Sequence, residues 1–180
     1  MKNLAFAVLL ALGLAAPVFA QSAARSDCPV DPEMIALPAC AVAQVQGRLR
    51  VDVAHVSALS FNRHGLAAAR LTGAGWTYVD RHGWVVVRDV AVFDNGASPF
   101  HHGLVRVTRG GKWGLADARG RLVAPLRYDG MLEYVPRAGW LACEGCRIER
   151  DKAGEHSWFA GGRWLRLDAQ GKRIGPARAP

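Results

Sequence analysis

The chain has 180 residues, of which 23 are lysine or arginine and 15 are aspartate or glutamate, giving a formal net charge of +8. This length is sufficient for one domain with a substantial core. The positive charge favours attraction to acidic surfaces, but the sequence has no run of five basic residues and so excludes a basic nucleic-acid-binding tail.

The N-terminal segment has the layout of a cleavable signal peptide. Lys2 precedes an uninterrupted apolar run over residues 4–16, and Pro17 ends that run. Residues 18–20 then place small side chains at the positions that signal peptidase reads. The run is shorter than the roughly 20 apolar residues of a membrane span, and Cys28 is too far away to accept a lipid anchor. We therefore predict removal of residues 1–20, which lowers the charge from +8 to +7, and a periplasmic or secreted protein with no transmembrane segment.

Residues 21–60 are predicted to form an irregular leader followed by a capping strand. Cys28 and Cys40 bracket a proline-rich loop, and because export permits disulfides, we expect this pair to be bonded. A cross-link from the leader to a later cysteine is the alternative. Residues 49–53 alternate apolar and polar side chains, which predicts a strand that covers the first repeat. Elsewhere, helix is expected at most as a short turn near residues 31–37.

The pattern W-x₃-D-x₂-G occurs three times, beginning at Trp76, Trp113 and Trp164. The first two tryptophans are 37 residues apart and the last two are 51 apart, so the third unit contains an insertion of about fourteen residues. The boundaries that follow from this spacing are 61–97, 100–130 and 134–175 for the units, 143–162 for the insertion and 176–180 for a tail.

Each unit is predicted to form three short antiparallel strands. Residues 104–107 alternate apolar and polar side chains, and residues 113–116 follow after a glycine-rich turn. Asp117 can accept hydrogen bonds from the backbone just after it, while Gly120 can adopt a left-handed conformation. A third strand is expected at residues 121–124. Because such units bury their apolar faces only by stacking, we predict an all-β domain of tandem antiparallel repeats.

These units resemble the WG-repeat family, whose pattern is G-L-x-x-V, then G-K-W-G-x-x-D-x-x-G-x-x-V-x-P-x-x-Y-D. The matching positions in the second unit are residues 103–107, residues 111–117, Gly120, Val123, Pro125, Tyr128 and Asp129. The first unit departs from the pattern at Thr77 and the third at Leu165, but Phe93 and Asp94 give the first unit a closing aromatic–Asp pair. The resemblance covers residues 61–175. It implies a β-rich scaffold with a role in binding or envelope structure, and it provides no catalytic residues.

The motif Cys143-Glu-Gly-Cys146 lies inside the insertion. The ends of a β-turn are less than about 7 Å apart, which suits a disulfide. A redox CxxC motif uses a helix N-terminus to stabilise the thiolate, whereas this motif lies among strands and contains the anionic Glu144. A structural zinc site uses four ligands, and the nearest histidine is His156. We therefore predict a disulfide between Cys143 and Cys146.

The six tryptophans fall into two groups. Those of the repeat pattern recur at equivalent positions and are expected in the core. The other three are predicted to contact a partner, through stacking or cation–π interactions: Trp84, Trp140 and Trp158.

No catalytic, cofactor-binding or metal-binding residue is predicted. The adjacent His101 and His102 would diverge on a strand and are interpreted as turn residues after Phe100. The sequence has no G-x-S-x-G, H-E-x-x-H or P-loop motif. We therefore predict a non-enzymatic exported module that binds a protein or an anionic envelope component through its insertion, and no nucleic acid. The alternatives are an envelope hydrolase with an unfamiliar site, and a metal or redox protein that uses Cys143 and Cys146.

Overall fold

A computed structural model of the chain describes residues 24–30, 35–45, 47–71 and 74–179, with side chains described from residue 45 onward except at residue 54. The predicted signal peptide lies outside these residues. The side chains of Cys28 and Cys40 also lie outside the described part, and so does their predicted disulfide. None of the helices within the described ranges is long and apolar enough to cross a membrane.

Strands occur in the described part of the leader. Strands β1 (Ala24–Val30), β2 (Ile35–Val45) and β3 (Arg48–Val51) form one antiparallel sheet. The register of β1 and β2 shifts once, opposite Pro38, which has no N–H to donate. The predicted strand at residues 49–53 stops early, because the chain turns into the one-turn helix α1 (Val53–Val56).

The rest of the described chain consists of short antiparallel strands, which confirms the all-β repeat architecture. The first unit and the hairpin after it contain β4 (Ala67–Leu71), β5 (Gly75–Val79), β6 (Val85–Val87), β7 (Val92–Phe93) and β8 (Gly96–Ala97). The second unit and the short strand after it contain β9 (Leu104–Arg109), β10 (Lys112–Asp117), β11 (Leu122–Tyr128) and β12 (Gly130–Met131). The third contains β13 (Trp140–Glu144), β14 (Arg147–Arg150), β15 (Ser157–Ala160), β16 (Arg163–Leu167) and β17 (Arg173–Pro176).

The strand order shows where the insertion enters the repeat. Each unit is a three-stranded sheet, formed by β4-β5-β6, by β9-β10-β11 and by β13-β16-β17, and β12 pairs with the outer edge of β13. Two glycines connect β9 to β10, whereas the separate hairpin β14–β15 lies between β13 and β16. In the third unit, the hairpin β14–β15 therefore takes the place of the turn between the first two strands of the sheet.

The Asp and Gly of the repeat pattern form the same turn in every unit. The Asp117 carboxylate accepts hydrogen bonds from the backbone N–H groups of Arg119 and Arg121, both at 2.9 Å. Asp80 and Asp168 accept the equivalent bonds in the other two units. The turn role predicted from the sequence is thus confirmed.

The turn glycines also bring successive units into close contact. Gly120 has a φ of 77°, and a Cβ there would lie 2.1 Å from the Val86 carbonyl oxygen in the preceding unit. At Gly83 a Cβ would lie 2.4 Å from the carbonyl oxygen of Val51 in β3. These turns therefore dock directly on the backbone of the element before them.

The hydrophobic core lies between these stacked elements. One cluster joins β3 and α1 to the first unit and includes Val51, Val56 and Val79. A second joins the first unit to the second and includes Tyr78, Val87 and Val105. A third joins the second unit to the third and includes Leu115, Trp140 and Leu165. The stack therefore buries apolar surface that no single unit could cover alone.

The hairpin β7–β8 is an addition to the repeat, and this corrects one sequence assignment. Equivalent backbone pairs join the fourth residue of a unit's first strand to the preceding connection, namely Val107–Val90 and Cys143–Gly130. The structural counterpart of Asp129 is therefore Asp89, not Asp94. The residues Phe93 and Asp94 match the closing aromatic–Asp pair of the repeat in sequence. They belong instead to a longer connection, which forms the hairpin β7–β8.

Candidate functional site

The two hairpins that interrupt the repeat face each other across a groove of about 720 Å³. Hairpin β7–β8 provides Val92 and Phe93 on one side, and hairpin β14–β15 provides Ile148 and Trp158 on the other. All four side chains are largely open to solvent, and both Phe93 and Trp158 are 48% exposed. A contiguous exposed apolar surface of this kind is typical of an interaction site.

Hairpin β14–β15 is fixed at its base by a disulfide and a carboxylate. Cys143 and Cys146 are bonded, with their Cα atoms 6.0 Å apart, as the sequence predicted. The other restraint is Asp129, which accepts a hydrogen bond from the Gly145 N–H at 2.7 Å and one from the Lys112 ammonium at 2.5 Å. The bond from Lys112 is the main cause that lowers the pKa of Asp129. Cys143 is fully buried, whereas Cys146 is half-buried.

Phe159 attaches the same hairpin to the body of the stack. Its ring meets the Trp113 ring edge-on, with 5.5 Å between centroids and an interplanar angle of 89°. Gly130 makes room for this ring, because a Cβ at that position would lie 2.5 Å from the Phe159 Cδ1. The wall of the groove that carries Trp158 is thus held by packing as well as by the disulfide.

A buried arginine forms the floor of the groove. The Arg106 side chain is only 7% exposed and makes an ion pair of 2.6 Å with Glu133. Its remaining bonds go to the Ser98 hydroxyl, at 2.8 and 3.0 Å, and to the Met131 carbonyl oxygen, at 2.8 Å. Burial lowers the pKa of Arg106, and the neighbouring Glu133 opposes that change. The positive charge of the guanidinium is therefore balanced within the fold by the Glu133 carboxylate.

The guanidinium also contacts the aromatic lining. The Arg106 Cζ lies 5.5 Å from the centroid of the Trp113 ring and 6.0 Å from that of Phe93. Such cation–π contacts favour fixed ring positions. The rings of Trp113 and Phe93 therefore lie against a guanidinium whose charge is already paired with Glu133, and they present aromatic surface to the groove.

The histidine pair lies beside this network. His101 Nε2 is 3.4 Å from a Glu133 oxygen, within ion-pair distance but not aligned for a hydrogen bond. Both imidazoles contact Tyr134, with centroids 5.6 Å away for His101 and 4.7 Å away for His102. The rings therefore meet a common neighbour instead of diverging, because His102 has a φ of 50° and is not part of a strand. No group of three or more His, Cys, Asp or Glu residues that could hold a metal ion occurs in the described part of the chain.

Tyr78 borders this buried network, and burial shifts its pKa. Its hydroxyl donates a 2.8 Å hydrogen bond to the Ser98 carbonyl oxygen, and burial, with a smaller effect of Glu133, raises the pKa of Tyr78 from 10.0 to about 12. Because the neutral phenol is the form that the fold favours, its contribution to stability is complete below pH 10 and disappears as the pH rises through about 12. We expect the difference in tyrosinate absorbance between the wild type and Tyr78→Phe to have its midpoint near pH 12. A midpoint near the ordinary tyrosine value would contradict this prediction.

The three tryptophans predicted to contact a partner have different environments. Trp158 lies on the groove wall and is 48% exposed. Trp84 is half-buried and covered by guanidinium groups, since the Cζ atoms of Arg48 and Arg50 lie 4.8 and 5.0 Å from its ring. The prediction for Trp140 is wrong, because this residue is 0% exposed. It begins β13 at the position that Leu104 occupies in β9, where the side chain faces the core.

The tryptophans of the repeat pattern also differ from one another. Trp164 is 3% exposed and belongs to the core, as predicted. Trp76 and Trp113 are half-buried and pack against core clusters with part of their surface. Trp113 in addition lines the groove, so this repeat position contributes both to the scaffold and to the candidate site.

Comparison of the chain with protein-family models, with curated proteins and with solved structures gives no match. The resemblance to WG repeats therefore remains a prediction from the residues. The groove itself is defined by its geometry, and both of its walls come from hairpins outside the repeat pattern.

Proposed function

We propose that this protein is a non-enzymatic, exported binding module of the cell envelope, in which WG-like repeats serve as the scaffold. The partner binds in the groove between hairpins β7–β8 and β14–β15. The observation that carries this proposal is the pair of exposed aromatic residues, Phe93 and Trp158, on opposite walls of one groove. Aromatic anchors in concave apolar sites contribute much of the binding energy in known interfaces.

The construction of the groove supports a binding role. The disulfide and the Phe159 contact hold one wall in place before any partner arrives, which reduces the entropy lost on binding. The charge of the arginine in the floor is already balanced, since Arg106 pairs with Glu133. A disulfide also agrees with an oxidising compartment outside the cytoplasm.

A sedimentation assay with isolated cell envelopes tests this proposal. We expect Trp158→Ala to weaken co-sedimentation about tenfold or more, because it removes a central aromatic anchor. Leu122→Ala is the matched control, since Leu122 is 53% exposed on β11 and does not line the groove. The proposal fails if the two variants bind envelopes equally well.

A further inference from the structure

We infer that the groove binds an extended peptide, which adds as a strand to the open edge of β15; this inference rests on the binding role proposed above. Strand β14 pairs with all four residues of β15, from Ser157 to Ala160, on one side. Within the described residues no strand pairs with the other side of β15. The opposite wall has the same character, because β8 is the sole partner of β7 among the described strands.

The groove lies along this open edge. Ser157, Trp158 and Phe159 are consecutive in β15, and all three line the groove. Since neighbours on a strand point to opposite faces, a cavity that meets three residues in succession must include the edge of the strand. The unpaired backbone N–H and carbonyl groups of β15 are therefore accessible from the groove.

An open edge beside aromatic side chains fits a peptide better than a sugar. Four residues of strand provide an edge of roughly 13 Å, and main-chain hydrogen bonds to such an edge give affinity while alternate side-chain pockets give specificity. A sugar would need several polar side chains for its hydroxyl groups. Most of the lining is apolar, and its arginine already pairs with Glu133.

The rim of the groove indicates the charge of the peptide. Asp94 lines the groove at the tip of hairpin β7–β8 and is exposed. Its carboxylate takes part in none of the ion pairs found among the described residues. The peptide should therefore carry alternating apolar side chains, which meet Phe93 and Trp158, and a basic side chain that reaches Asp94.

Selection from a displayed library of random peptides, with the intact protein as bait, provides the probes. The selected peptides are synthesised with N-methyl groups on one alternating set of amides or on the other, which removes hydrogen bonds and keeps the side chains. We expect one set to weaken binding roughly tenfold or more and the other to have little effect. The amide protons of Ser157–Ala160 should exchange more slowly in the complex. Binding should weaken in Trp158→Ala and persist in Leu122→Ala, while Asp94→Asn should remove the preference for the basic side chain.

The outcomes separate this inference from the proposed function. If both N-methylated sets bind as well as the parent peptide, strand addition is wrong, although sensitivity to Trp158→Ala would preserve the binding role. If envelope oligosaccharides bind in a Trp158-dependent way and no peptide is selected, the peptide class is wrong and the groove still binds. If every selected ligand is indifferent to Trp158→Ala, both proposals fail.

Discussion

Replacing Gly120 with alanine is expected to destabilise the protein by about 2–5 kcal/mol, because two separate costs combine. The left-handed backbone at this glycine costs an L-residue about 1–2 kcal/mol. The new Cβ would also lie 2.1 Å from the Val86 carbonyl oxygen, so the second unit must move away from the first. Overpacking of this kind typically costs a further 1–3 kcal/mol, roughly.

Gly111→Ala separates these two costs. Gly111 has a φ of 73°, close to the 77° of Gly120, but a Cβ there would meet nothing within 4 Å. We therefore expect Gly111→Ala to show only the conformational cost of about 1–2 kcal/mol. Chemical denaturation of both variants measures the difference, which reports the docking of one unit on the next. Equal losses in the free energy of unfolding would show that the turn at Gly120 is not packed against the preceding unit.

The repeat turns could be predicted because their chemistry is local. Asp117 bonds to backbone groups two and four residues later, and Gly120 accepts a positive φ, so the spacing alone contains the turn. The disulfide could be predicted for the same reason, since Cys143 and Cys146 are neighbours in one turn. The burial of Trp140 could also have been predicted from the sequence, because the pair Gly139-Trp140 aligns with Gly103-Leu104 and this alignment indicates a core position.

The groove could not be predicted in the same way, because its residues meet only through the tertiary fold. Arg106 occupies a polar position in an alternating strand, and the sequence gives no indication that Glu133 and Ser98 surround it. Phe93 matches the closing pattern of the repeat, which hides the extra hairpin that carries it. Phe159 is placed against Trp113 by the stacking of the second unit on the third, and no local spacing indicates that contact.

Removing one partner of the Arg106–Glu133 pair should destabilise the protein about as much as Gly120→Ala does. Arg106 joins three parts of the fold, since it lies on β9 and bonds to Ser98, Glu133 and the carbonyl oxygen of Met131 in β12. Arg106→Met leaves the Glu133 carboxylate, whose side chain is 18% exposed, without its cation. Leaving one charge of a buried pair unpaired typically costs about 3–5 kcal/mol, and we expect a loss of that size in the free energy of unfolding.

A double-mutant cycle shows whether this loss reflects the pair or the packing of the arginine. If the unpaired charge is the main cost, Arg106→Met combined with Glu133→Leu should recover about 1 kcal/mol or more relative to Arg106→Met alone. Arg106→Lys keeps the positive charge but has no planar fork for Ser98 and Glu133 together, so it should recover less than the double variant. A double variant as unstable as the sum of its single changes would show that the two side chains act independently. In that case the aromatic contacts of Arg106 with Phe93 and Trp113, and not its charge, would account for its place beneath the groove.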